Sequence, residues 1–155
     1  MKQTPEMDHY QHNMRPGCIT LKGMLGNDRR NLTDILTDDD AEVKRLGTTH
    51  EAIAARMQEL RDAGVAGLGE SIAVQGHFDI RVDSVRGKLP CPFEDAVVQK
   101  TFVQVQNKTL HETITYTDLH IHMIATHGFY EGHESGFRLP PADLVRVLDI
   151  PTEDR

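Results

Sequence analysis

Between Gly64 and Ile72 the hydrophobic period of the chain changes from 3.6 to 2, which restricts it to folds that pack helices against a sheet. Upstream, Ile53, Met57 and Leu60 recur at i, i+4 and i+7. Thr48 with Glu51 resembles a capping box, and Gly64 supplies a stop, so the pattern predicts a helix over 49–63. An earlier helix is expected from Thr37, where Asp38, Asp39 and Asp40 suit the positive end of a helix dipole, to a stop at Gly47.

Downstream, Ile72, Val74, Gly76, Phe78, Ile80 and Val82 alternate with Gln75, His77, Asp79, Arg81 and Asp83, the pattern of a half-buried strand. The segment from Gly87 to Phe93 holds Pro90 and Pro92 and is expected to be a loop. A second strand is predicted over 97–106 and a third, rich in threonine and isoleucine, over 110–124. Pro140-Pro141 opens a closing helix over 142–148. Residues 18–25 are expected to add a short strand, and the polar, unpatterned residues 1–16 a flexible N-terminal arm. The fold class is therefore α+β: an N-terminal helical segment, a three- to four-stranded antiparallel meander sheet and a short C-terminal helix, with 17–155 as one domain.

Charge narrows the range of partners. Acidic residues outnumber basic ones 24 to 17, for a formal net charge of −7. Nucleic acid and anionic membranes both attract basic faces, so neither partner is expected. Lys44–Met57 has the outline of a helix-turn-helix, but its second helix carries Glu51, Glu59 and Asp62 against Arg56 and Arg61. A DNA-binding role is the least favoured reading. No apolar run reaches the roughly 20 residues of a membrane helix, and the first residues carry no secretory pattern, so a cytoplasmic location is expected. Cys18 and Cys91 are accordingly expected as free thiols, Cys91 as a half-buried structural one.

The unusual feature is histidine. Five of the nine lie between His111 and His133. If 110–124 is a strand, Asp118, His120 and His122 share one face, while Leu119, Ile121 and Met123 point to the core. Imidazole and carboxylate together suit zinc, iron, nickel or manganese. The expected ligands are His120 and His122, completed by His127 or His133 from the glycine-marked loop that follows. Glu112, Asp118 and Glu131 are the candidates for a general base or a group orienting a ligand.

Asp118-Leu119-His120-Ile121-His122 resembles the Asp-x-His-x-His strand of the metal-dependent amidohydrolases and the related histidinol-phosphatase-type phosphoesterases. In those families the strand opens a barrel. Only 33 residues follow His122 here, too few for a β/α barrel of roughly 250. What carries over is that a strand of this kind can hold a metal.

His77, Asp79, Arg81 and Asp83 form a second polar constellation. On the same side of the sheet as the histidines they would make a surface for a small anionic molecule, with His77 lining it and Arg81 or Arg138 as the fork. The first functional expectation is thus a small domain binding a divalent transition metal, zinc foremost, in the manner of a metal-dependent hydrolase. The alternative is a metal-free module that binds a ligand or assembles a homo-oligomer through its histidine-rich face. Phe129, Tyr130 and Phe137 beside the cluster suit an apolar pocket wall or core packing.

Overall fold

The computed structural model describes residues 3–153. Among them five helices and a four-stranded antiparallel sheet confirm the α+β class. The order is α1 (Pro5–Asn13), α2 (Leu32–Arg45), α3 (His50–Gly64), β1 (Ile72–Val74), β2 (Phe78–Pro90), β3 (Val97–Asn107), β4 (Glu112–Thr117), α4 (Asp118–His127) and α5 (Pro141–Val147). The strands lie in sequence order as a meander.

The helices depart from expectation at the start of the chain. Residues 5–13, expected within an arm, form α1, with Thr4 accepting from the Met7 N–H and Pro5 in the first turn. Helix α2 begins at Leu32, five residues before Thr37. Its Asn31 cap makes no side-chain hydrogen bond, so its first N–H groups need acceptors from elsewhere. Gln11 and Gln3 provide them: Leu32 N–H donates to Gln11 Oε1 at 3.0 Å and Thr33 N–H to Gln3 Oε1 at 2.9 Å. A tertiary contact has replaced the local cap. The aspartates that looked like a start lie inside the helix, where Asp39 is buried and bound by the Arg138 guanidinium at 2.6 and 2.8 Å. Helix α3 matches its prediction to within a residue, capped by Thr49, whose hydroxyl accepts from Ala52 N–H.

Residues 18–25 form turns instead of the expected strand, tied down by the Met24 N–H to Met14 carbonyl bond at 2.9 Å. The strand expected from Ile72 to Val82 is a hairpin. Gln75 (φ 52°) and Gly76 (φ 80°) both take left-handed backbone and fold β1 onto β2, pairing Ile72 with Ile80 and Val74 with Phe78. The predicted loop after Val85 is mostly strand. A bulge at Arg86-Gly87 shifts the register, and β2 runs on until Pro90 pairs with Val97. Only Cys91–Ala96 connects β2 to β3.

The largest departure lies at Thr117, where the strand expected to continue to Ile124 ends and α4 begins. Thr117 Oγ1 accepts from the His120 N–H, and His120 Nδ1 accepts from the Thr117 N–H, a reciprocal cap that starts a helix. The alternating apolar residues are served equally well by a helix buried on two sides. Leu119 and Met123, four apart, enter one core with Met14, Met24, Leu32, Phe93 and Phe129. Ile121 and Ile124 enter the other, between α3, α5 and the sheet, with Ile53, Met57, Phe78, Val103 and Tyr116. Helix α4 is a wedge between two cores, and period alone cannot separate that from an edge of sheet.

Helix α3 crosses β2 closely. A Cβ at Gly64 would stand 2.4 Å from Ile80 Cγ2 and 2.8 Å from Val82 Cγ2, both on stiff branched side chains. Gly64→Ala is expected to cost about 1–3 kcal/mol despite the better helix propensity of alanine. Urea unfolding checks this, and an unchanged or raised midpoint would show that the helix can move away from the sheet.

Candidate metal centre

The site is made where the β2–β3 loop meets α4. Cys91, Asp95, His122 and His127 each offer one ligand atom, and these atoms all lie within 4.8 Å of one another. The loop is closed by the Cys91 N–H to Ala96 carbonyl bond at 2.8 Å and by the Glu94 N–H to Cys91 carbonyl bond at 2.9 Å. Glu94, just before Asp95, holds φ at +63°. On α4, His122 and His127 lie five residues apart, about 140° around the helix, and their rings reach the two oxygens of Asp95 from different sides. Gly128 then ends the helix in the left-handed region.

Asp95 lies between the two imidazoles. His122 Nε2–H donates to Asp95 Oδ1 at 2.9 Å, and His127 Nε2–H donates to Oδ2 at 2.8 Å. Burial works against the Asp95 charge, yet hydrogen bonds from His122, Cys91 and His127 outweigh it and hold the carboxyl at about 2. Burial pushes the Cys91 thiol up to about 12, and its neighbour Asp95 adds to the rise. Burial also holds His127 below the ordinary imidazole value, against the pull of Asp95. His127 therefore meets Asp95 as a neutral N–H donor at neutral pH. Its ring stacks on Phe93 at 3.9 Å and 13°. Asn13 of α1 clamps the same loop, donating to the Pro92 carbonyl at 2.9 Å and to Glu94 at 3.2 Å.

The structure therefore brings together two of the four histidines named from sequence and separates the other two. His120 turns the opposite way and is buried against Glu131, its Nε2–H donating to Glu131 Oε2 at 2.5 Å. The helix decides this: residues two apart share a face in a strand but lie about 200° apart around a helix. His133 is exposed, and its backbone N–H donates to Asp28. Each base candidate is engaged elsewhere. Glu112 pairs with Arg146, Asp118 with Arg61 at 3.0 and 3.1 Å, and Glu131 with His120 and Ser135.

The second constellation is also dispersed. His77 lies in the β1–β2 hairpin and pairs with Asp149, Arg81 pairs with Asp83 at 2.7 Å, and Arg138 is committed to Asp39 and to the Glu131 carbonyl. Cys91, expected as a structural thiol, and Asp95 were not expected among the ligands. The available signal was spacing: a short Cys-x3-Asp loop followed by His-x4-His has the form of a structural zinc site with one thiolate replaced by a carboxylate. No family model, curated protein or solved structure matches the chain. No helix among the described residues is long and apolar enough to cross a membrane.

The lowered pKa of His127 and of Asp95 sets the pH dependence of the metal-free protein. Unfolded, His127 takes up a proton near its ordinary value; folded, it resists. Its contribution is complete above about pH 6.5 and is lost as pH falls from there through the lowered folded value. Asp95 contributes in full above about pH 4, and that share is lost as pH falls toward about 2. Urea midpoints from pH 8 to 5 should therefore decline in the wild type and less in His127→Gln. Parallel curves would mean that His127 titrates alike folded and unfolded.

Proposed function

We propose that the chain binds a divalent transition metal, zinc foremost, through Cys91, Asp95, His122 and His127. One observation carries this reading: four donor atoms from two adjoining segments converge within 4.8 Å, with only an internal hydrogen-bond network holding them apart. A thiolate, two imidazoles and a carboxylate are a borderline-soft set of four, which suits tetrahedral zinc. Hard cations such as magnesium and calcium prefer all-oxygen cages.

Four protein donors leave no open position, so the role this set supports best is structural. The ion would tie the β2–β3 loop to α4, adding to the Asp95 hydrogen bonds, the Phe93–His127 stack and the core that the two segments share. Catalysis of the hydrolytic kind would need a free coordination place and a nearby base, and the three carboxylates first considered for that base are bound to other partners. Binding must displace the Cys91 proton, whose thiol sits at about 12 in the metal-free site. Affinity is therefore coupled to pH.

The expected outcome is near one zinc per chain, by elemental analysis of untagged protein purified without chelator. His122→Gln and Cys91→Ser should lose it, and His133→Gln should keep it. Cobalt should give a thiolate charge-transfer band that Cys91→Ser removes. Zinc affinity should rise about tenfold per pH unit through neutrality as one thiol proton is released. Absence of metal, of the cobalt band and of thermal stabilisation by zinc would overturn the proposal and leave Asp95 as the hub of a hydrogen-bonded cluster.

A further inference from the structure

A cleft of about 340 Å³ lies on the other side of α4, lined by residues of the 19–24 turn region, β2, β3 and α4. Its size falls in the range of about 300–1,000 Å³ typical of small-molecule sites. The walls are apolar, with Leu89, Leu119 and Met123 inside, and its rim carries Leu21, Phe102 and Phe137. These three are among the few large apolar side chains left in solvent, at 86%, 38% and 52% exposure. Three such residues converge on one opening, the arrangement of a groove for an apolar ligand more than of scattered surface side chains.

Two polar groups in this lining lack partners. Lys100 makes no ion pair among the described residues, although 17 of the 24 acidic residues of the chain would suffice to neutralise every lysine and arginine. Its half-buried stem passes over Gly87, whose added Cβ would stand 3.6 Å from Lys100 Cδ and Cε. The Thr20 hydroxyl is buried and has no hydrogen-bond partner among the described residues. A buried hydroxyl left unpaired costs on the order of 1–3 kcal/mol.

The remaining polar groups are satisfied. His120 accepts from Thr117 N–H through Nδ1 and donates through Nε2–H to Glu131, which fixes the neutral tautomer. The second Glu131 oxygen accepts from Ser135 Oγ–H at 2.8 Å. The Glu131 carboxylate is thus enclosed and does not offer itself to a cation. What the cleft lacks is an anion beside Lys100.

We propose that this cleft binds an amphiphilic monocarboxylate, its carboxylate on Lys100 and its apolar body against Phe102, Leu89, Leu119, Met123 and Phe137. An ammonium at the edge of an apolar slot selects a carboxylate with a hydrocarbon tail over a neutral or cationic analogue of the same length. The site is separate from the Cys91 cluster and does not require a metal.

Isothermal titration with decanoate, decanol and decyltrimethylammonium, each below its aggregation concentration, tests the assignment. One decanoate per chain is expected, with Lys100→Met weakening it about tenfold, the scale of a charge-assisted hydrogen bond. Phe102→Ala should weaken both decanoate and decanol, and thermal melting and zinc content of both variants should match the wild type. Decanoate binding unchanged in Lys100→Met, a preference for the ammonium, or no binding of decanoate would each overturn the proposal.

Discussion

The reciprocal hydrogen bonds between Thr117 and His120 set the course of the second half of the molecule. They end β4 and start α4 within one residue, so that a polypeptide arriving in the sheet leaves it as a helix. The candidate metal centre depends on that change of direction. Were the strand to continue, His120 and His122 would share one face; because it stops, His120 lines one cleft and His122 faces the β2–β3 loop. A single imidazole thus acts as a helix cap and, through Glu131, as an anchor for the segment that follows.

The other constraint is the burial of charge along α2. Asp39 enters the interior only because Arg138 meets it with two hydrogen bonds, and Arg138 also holds the Glu131 carbonyl. Glu131 itself sits at φ +70°, a conformation that a non-glycine residue keeps only when its surroundings enforce it. The chain from Asp39 through Arg138 and Glu131 to His120 therefore links α2 to the start of α4. Removing one member would leave buried groups unpaired, which costs more than the net worth of any one bond.

The N-terminal helix shows how a segment without a clear pattern becomes ordered. α1 buries none of its own residues deeply, yet Gln11 completes the start of α2, and Asn13 holds the loop that carries Cys91 and Asp95. Tyr10 packs against Phe93, which in turn stacks on His127. The candidate metal centre is thus supported from three directions: the sheet end, α4 and α1.

The sequence by itself determined the α+β class, α3, α5 and the meander order, because period, capping residues and turn residues are local and leave a mark wherever they act. It also marked the region of the site, since histidine and carboxylate are concentrated there. It did not determine where β4 ends, because the alternation in 118–123 fits an exposed strand and a helix buried on two sides equally well. Cys91 and Asp95 stayed hidden as ligands for the same reason: 27 residues separate Asp95 from His122, and only the β3–β4 hairpin and the turn into α4 close that distance. The start of α2 was decided by Gln3 and Gln11, whose contacts no local rule encodes. Ligand types are a property of composition, whereas a ligand set is a property of packing.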